Sequence, residues 1–144
     1  MNAVLYRAAS AYANVDLATS VEAASPHRLI VMLFDAAILS VSKAMRSMER
    51  GDIVNKGLAV SKAIQIIEEG LKASLDEQQG GKLARQLSEL YRYMSHRLVL
   101  ASARNQRQGF EEVANLLGEI KRAWSDIGKP AGDRAGVIPI GSHP

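Results

Sequence analysis

Apolar residues recur at steps of three and four along most of the chain, which is the spacing of one face of an α-helix. Four separate stretches carry this pattern, and none alternates apolar and polar residues as a strand does. Their apolar positions are Ile30, Phe34, Ala37, Val41, Ala44 and Met48; then Val60, Ile64, Ile67 and Leu71; then Leu83, Leu87, Leu90, Met94, Leu98 and Ala101; and last Phe110, Val113, Leu117, Ile120, Trp124 and Ile127. The pattern predicts an all-helical protein.

Capping and turn residues divide the pattern into four helices. Ser25-Pro26 is a start signal, since serine caps a helix and proline suits its first position. Gly51 ends the first helix, and Asp52 caps a second one that is predicted to reach about Ser74. Gly80-Gly81 separates the second helix from the third, and the polar stretch 104–109 separates the third from the fourth. Four helices with short connections predict an antiparallel up-and-down four-helix bundle.

Two terminal segments lie outside the predicted bundle of residues 25–128. Residues 1–24 contain Leu5, Tyr12 and Val15 at helical spacing, so we expect a short amphipathic helix followed by an extended link at 21–24. Residues 129–144 are rich in glycine and proline, and we expect a flexible tail there.

Composition narrows the function class. The 144 residues suit one domain, and the lack of cysteine excludes disulfides and thiolate chemistry. The 18 Lys and Arg exceed the 15 Asp and Glu, but they are scattered instead of forming the cluster that nucleic-acid binding requires. No apolar run is long enough to cross a membrane, and the N-terminus lacks the pattern of a secretion signal. We therefore expect a cytoplasmic protein that neither binds nucleic acid nor inserts into a membrane.

Candidate catalytic or metal-binding groups do not assemble. His27, His96 and His143 each lack a second ligand at helical spacing, so no metal is predicted. The adjacent glutamates at 68–69 and 111–112 point about a hundred degrees apart on a helix and cannot share one atom. No enzyme and no cofactor are predicted.

The helices carry more apolar residues than a narrow seam needs. A second apolar line beside the seam includes Leu29, Met32 or Leu33, Ala36 and Leu39; Ala59, Ala63 and Ile66; and Ala84, Tyr91 and Val99. One interpretation is a wide core-facing side, which is common in bundles. The other is a groove that receives an amphipathic helix of a partner.

Several motifs, in order, resemble a known family. They are SPHRLIVMLFDAA at 25–37, SKAIQIIE at 61–68, LSELYRYM at 87–94, and Glu111-Glu112-Val113 with Ala123-Trp124. Over residues 6–127 the chain resembles the FliS family of flagellar export chaperones. Two positions depart from the family pattern: Arg92 stands where an acid is common, and Ala36 where glycine often follows Asp35. Both changes keep the apolar spacing.

The resemblance implies a four-helix bundle with an N-terminal cap and a partner. Members of the family bind the disordered C-terminal region of flagellin in the cytoplasm, prevent premature polymerisation and assist secretion. Other flagellar regulators, the export apparatus and a homodimer are further partners that the sequence leaves open. The competing interpretation is a generic helical adaptor or regulatory binding protein of flagellar biogenesis.

We expect the client groove on the outer faces of the second and third helices. The predicted contacts there are Ala59, Ala63, Ile66, Leu83, Leu87 and Tyr91, and each has a core position as its alternative. Leu5, Tyr6 and Tyr12 form a second set, because a tethered amphipathic segment can dock on the same bundle in cis and yield to the client. The alternative for this segment is a frayed terminus.

Overall fold

The computed structural model describes residues 25–127 and contains four helices over that range. They are α1 (Pro26–Glu49), α2 (Ile53–Gln65), α3 (Glu77–Arg104) and α4 (Arg107–Ile127), and α2 continues into a π-helical segment, Ile66–Lys72. No strand occurs between residues 25 and 127. The all-α class is confirmed, whereas the predicted cap (1–24) and tail (129–144) lie outside the described residues.

The predicted boundaries at Ser25, Gly51 and Asp52 of the first two helices are confirmed. The Ser25 side chain accepts a hydrogen bond from the Arg28 amide at 3.2 Å, and proline occupies the first position of α1. Gly51 follows α1 with a φ of 71°, a left-handed conformation that favours glycine. Asp52 then caps α2 by accepting from the Asn55 amide at 3.1 Å. These caps satisfy amide groups that would otherwise lack partners at a helix start.

The predicted break at the two glycines is confirmed in part, and the predicted connection between the third and fourth helices was too long. α3 begins at Glu77, before the two glycines, because Asp76 caps it by accepting from the amides of residues 78 and 79. Gly81, with φ 56° and ψ −131°, is not helical, so the predicted break is confirmed at this residue, and only the capped turn at 77–80 before it was not predicted. The connection from α3 to α4 is shorter than predicted, since only Asn105 and Gln106 separate the helices. Asn105 adopts a left-handed conformation (φ 49°) that turns the chain within one residue.

The helices form a ring in which α1 and α3 each pack against both α2 and α4. Three contacts fix the direction of α4 relative to α1. Glu49 pairs with Arg107, and the Lys121 ammonium lies 2.5 Å from an Asp35 carboxylate oxygen. His27 stacks on Trp124 with ring centroids 5.1 Å apart. The start of α1 is therefore beside the end of α4, and the two helices run in opposite directions.

Polar side chains align α2 with α3 in the same way. The Lys56 ammonium donates to the Ser102 carbonyl at 2.8 Å and to the Asn105 side-chain oxygen at 2.7 Å. Ser95 donates to Glu68 at 2.9 Å further along both helices. Lys56 thus places a positive charge at the C-terminal end of α3, where the helix dipole is negative.

Most residues of the two apolar lines, the seam and the line beside it, are buried in the core. Its buried members come from every helix: Leu29, Leu33, Phe34, Ala37, Val41, Ala44, Val60, Ala63, Ile66, Ile67, Leu71, Tyr91, Met94, Leu98, Ala101, Phe110, Val113 and Leu117. Each large apolar side chain buried in this way contributes roughly 1.5–3 kcal/mol to folding. The wide core-facing side therefore accounts for most of the surplus apolar residues.

The π-helical segment brings α2 close to α1. Within it, an added Cβ on Gly70 would lie 3.2 Å from the Leu33 side chain, so glycine allows tight packing here. Ser74 donates to the Gly70 carbonyl at 2.5 Å, and Lys72 pairs with Glu68 one turn earlier. Leu71, in the same segment, is buried in the core, as its place on the predicted seam indicates.

Candidate partner-binding site

The predicted contact residues separate into three groups. Ala63, Ile66 and Tyr91 are buried in the core, and burial raises the pKa of the Tyr91 hydroxyl. Leu83 is 55% exposed, and Leu87 and Ala59 are half-buried. In this conformation the first group packs the bundle, while the second is accessible. Leu5, Tyr6 and Tyr12 lie outside the described residues.

The accessible residues of α3 form one stripe. Leu83, Leu87 and Leu90 are spaced by four and three residues, so they share a face of the helix. Leu87 and Leu90 pack partly on the core while Leu83 projects beyond it. The same face continues to Arg97, whose Nε donates to Glu112 of α4 at 2.8 Å. The stripe therefore lies on the side of α3 that faces α4.

α4 offers a matching stripe. Leu116, Ile120 and Ile127 follow Glu112 at helical spacing, and Glu112 itself contacts α3. Leu116 and Ile120 are half-buried, and Ile127 is exposed. The two stripes together, Leu83, Leu87 and Leu90 with Leu116, Ile120 and Ile127, are called the α3–α4 groove below. Residues 116 to 127 span about 16 Å at the rise of an α-helix, enough to contact three turns of a partner helix.

A polar cluster closes one end of the α3–α4 groove. Tyr93 donates to one Glu112 oxygen at 2.6 Å, and Arg97 donates to the other. The hydrogen bonds from Tyr93 and Arg97 lower the pKa of Glu112, and the bond to Glu112 raises the pKa of Tyr93. The cluster fixes the relative position of α3 and α4, so the groove has a defined width at this end.

Ala59 belongs to a different surface. It lines a groove of about 370 Å³ between α1 and α2, together with Leu58 and several basic residues. The accessible members of the predicted set are therefore divided between two grooves, Ala59 in one and Leu83 with Leu87 in the other. Leu58, which is exposed, and Leu116 of α4 were not among the predicted contacts. The sequence does contain a signal for the exposure of Leu58. It lies two residues before Val60, a seam residue, and residues two apart on a helix point in nearly opposite directions.

The described part of the chain contains neither a candidate metal site nor a helix that could span a membrane. Among residues 25–127 no group of three or more His, Asp or Glu side chains could hold a metal ion. Within the same range no helix is both long and apolar enough to cross a membrane. What the surface offers is apolar contact along helix grooves, and the fold and site together define a helical-bundle binding protein.

Comparisons with known proteins identify the family. The family model described as "Flagellar protein FliS" matches residues 8–131. The chain is 51% identical over 121 residues to the flagellar secretion chaperone FliS of Salmonella typhimurium, a match that covers 84% of this chain and 90% of that protein. It is 40% identical to FliSB of Pseudomonas aeruginosa over 84% and 95% of the two chains, and 30% identical to FliS of Bacillus subtilis over 73% and 77%. The chain belongs to the FliS family.

Membership settles two of the expectations from the sequence. The resemblance to FliS, drawn from short motifs on four helices, is confirmed by matches that cover most of the chain. FliS is a family of chaperones for flagellum assembly and not of enzymes, so the prediction of a protein without enzymatic activity is confirmed as well.

Proposed function

We propose that this protein is a cytoplasmic export chaperone that binds the disordered C-terminal region of flagellin and holds it unpolymerised until the flagellar export apparatus receives it. The observation that carries the proposal is the 51% identity to a flagellar secretion chaperone over 90% of that protein's length. A relative this similar over nearly its whole length supports a shared client class. The division of the surface into grooves then suggests where the client binds.

We place the client on the α3–α4 groove, with Leu83 and Leu87 as contacts. The filament-forming end of flagellin carries apolar helix faces, and covering them removes the surface needed for self-association. A disordered client loses conformational freedom on binding, which costs about 2–5 kcal/mol of the gross interaction. Two parallel apolar stripes on a rigid bundle can offset this cost. The modest net affinity that results suits a client that must later be released.

Ala63, Ile66 and Tyr91 act on this site indirectly. They are buried, so their contribution is to hold α2 and α3 in the packing that sets the shape of the outer surfaces. Truncating any of them would create a cavity and destabilise the bundle as a whole. Loss of client binding in such a variant would follow from loss of fold, and these positions are unsuitable as binding probes.

The direct test is calorimetric titration of the full chain with the C-terminal segment of flagellin from the same organism. We expect saturable one-to-one binding with a large negative heat-capacity change, the mark of apolar burial coupled to folding. Leu83→Ser should weaken binding about five- to tenfold, because it removes roughly 1 to 1.5 kcal/mol of apolar contact. Val99→Ser is the matched control, since Val99 is also on α3 and 51% exposed but is not part of the groove.

Each outcome of the titration has a defined meaning. Absence of binding at tens of micromolar would reject the flagellin client and leave a helical adaptor with another partner. Binding that Leu83→Ser and Val99→Ser weaken equally would retain the client but move it away from the α3–α4 groove.

A further inference from the structure

The groove between α1 and α2 concentrates positive charge. Its lining includes three basic residues of α1, Lys43, Arg46 and Arg50, and one of α2, Lys62. All four are exposed. The ion pairs between described residues use other cations, namely Lys72, Arg97, Arg107 and Lys121. This concentration stands out in a chain whose bases are otherwise dispersed.

One carboxylate lines the groove, and it has a structural role. Both oxygens of Asp52 accept hydrogen bonds from Asn55, at 3.1 Å from the amide and 2.6 Å from the side chain. These bonds lower the pKa of Asp52, and the charge of Arg50 contributes in the same direction. Asp52 is thus occupied as the cap of α2, and four cations face a single acid along the groove.

An apolar edge runs beside the cations. Val54 and Leu58 are one helical turn apart on α2, and their side chains are 72% and 64% exposed, respectively. Lys62 lies one further turn along the same helix. Leu58 and Ala59 line the groove directly. Large apolar side chains left this exposed next to one another on a small protein often mark a surface for a partner. On α1, Leu39 is also exposed, one turn before Lys43.

We propose that this groove, called the α1–α2 groove, docks an acidic amphipathic helix of a second partner protein. Lys43, Arg46 and Arg50 recur at steps of three and four, so they present a line of charge to carboxylates of the same helical spacing. The apolar side of the incoming helix covers Leu58 and Ala59. From Leu39 to Arg50 the face is about 16 Å long, which matches three turns of a helix.

The lining favours a protein helix over nucleic acid. Single-stranded nucleic acid is held by aromatic side chains on which bases stack, and none lines this groove. The paired apolar and basic edges instead match the two sides of an acidic amphipathic helix. The α1–α2 groove lies on a different pair of helices from the α3–α4 groove, so this inference does not depend on the proposed flagellin client.

The test uses a fluorescein-labelled peptide of about 14 residues, with glutamates on one helical face and leucines on the other. Its binding to the full chain is measured by fluorescence anisotropy. The control peptide has every glutamate replaced by glutamine. We expect saturable binding of the acidic peptide that weakens about tenfold when salt rises from about 50 to about 300 mM, and little binding of the control peptide.

A pair of double variants localises the interaction. Lys43→Glu with Arg46→Glu should weaken peptide binding at least about tenfold. Lys82→Glu with Arg85→Glu is the matched control, because these residues are also exposed on one helix, three apart, and the change in charge is identical. The control should change binding less than about twofold, because salt screens charges that lie outside the groove. Leu58→Ser should also weaken binding, and amide NMR shifts should centre on residues 58 and 59.

The opposite results would overturn the proposal. Equal losses in the two double variants would show attraction by net charge and no docking groove. Tighter binding of a single-stranded oligonucleotide or of anionic phosphatidylglycerol vesicles than of the acidic peptide would assign the cations to another class of partner. The flagellin segment should bind the Lys43→Glu, Arg46→Glu variant as it binds wild type, and a parallel loss would make the groove part of the client site.

Discussion

Replacing Gly109 by alanine should destabilise the bundle, because at Gly109 the fourth helix lies against α3. A Cβ at this position would be 2.6 Å from the Ala101 Cβ and 2.9 Å from Arg97 Nη1. Non-bonded carbon atoms pack at about 3.5–4.0 Å, so α3 and α4 would have to separate by roughly 1 Å. Ala101 is fully buried and its Cβ is fixed to the α3 backbone, which leaves no flexible atom to absorb the contact.

The size of the effect follows from two opposing contributions. Overfilling a packed site with one carbon costs about 1–3 kcal/mol, while alanine exceeds glycine in helix propensity by up to about 1 kcal/mol. The net expectation is a loss of about 1–2 kcal/mol in the free energy of unfolding. In a chain of 144 residues, each kcal/mol lowers the Tm by roughly 2–5 °C. Urea unfolding followed by far-UV circular dichroism measures the first quantity, and a thermal scan measures the second.

Gly118→Ala on the same helix is the matched control. A Cβ there would meet only the end of the flexible Arg122 side chain, at 3.7 Å. Without a packing cost, the propensity gain remains, and the variant should be more stable than wild type by about 0.5–1 kcal/mol. The two substitutions are chemically identical, so opposite changes in their free energies of unfolding would isolate the packing contribution. A Gly109→Ala protein as stable as wild type would falsify the close approach of α3 and α4 at this point.

Three further predictions test other contacts. Lys56→Met should lower the free energy of unfolding by about 1–2 kcal/mol, because the end of α3 loses two hydrogen bonds and a favourable charge; exposed Lys62→Met, the control, should change it little. Folding lowers the pKa of Glu112, so Glu112→Gln should reduce the free energy of unfolding at neutral pH. The difference from wild type should disappear as pH falls through the folded-state pKa, and urea unfolding at several pH values measures this difference. Deleting residues 1–17 should strengthen flagellin binding or leave it unchanged if the N-terminal segment is only a lid, and a sharp calorimetric loss would show that it supplies contacts.

The sequence predicted the helices well because their periodicity and their caps agree. Ser25, Gly51 and Asp52 are local signals, since each acts on amides or dihedral angles within a few residues, and each lies where it was expected. The errors at residues 77–80 and at Asn105 have a shared cause. Asp76 caps one helical turn before the break at Gly81, and Asn105 makes a left-handed turn in one residue, so both irregular stretches are shorter than composition suggested.

The candidate site was less predictable, because exposure depends on which neighbour covers a residue. Ile66 and Leu83 have similar apolar character and similar places beside a seam, yet one is fully buried and the other is 55% exposed. Ile66 packs in the core among residues of the other helices, whereas Leu83 lies two residues after the break at Gly81 and outside the buried cluster. The π-helical segment that starts at Ile66 and the non-helical Gly81 are two irregularities that a regular period of 3.6 does not predict.

Separation of the core from the accessible grooves has a consequence for how such a chaperone works. The buried lines of all four helices are satisfied by one another, so the bundle can fold before its client arrives and remain folded after release. The stripes that remain exposed at Leu83 and Ile127, and at Val54 and Leu58, lie at the outer edges of helix pairs. Binding there adds apolar contact without reopening the core. Client affinity can then be tuned by substitutions such as Leu83→Ser with little change in the free energy of unfolding, and a parallel loss of both in that variant would contradict this separation.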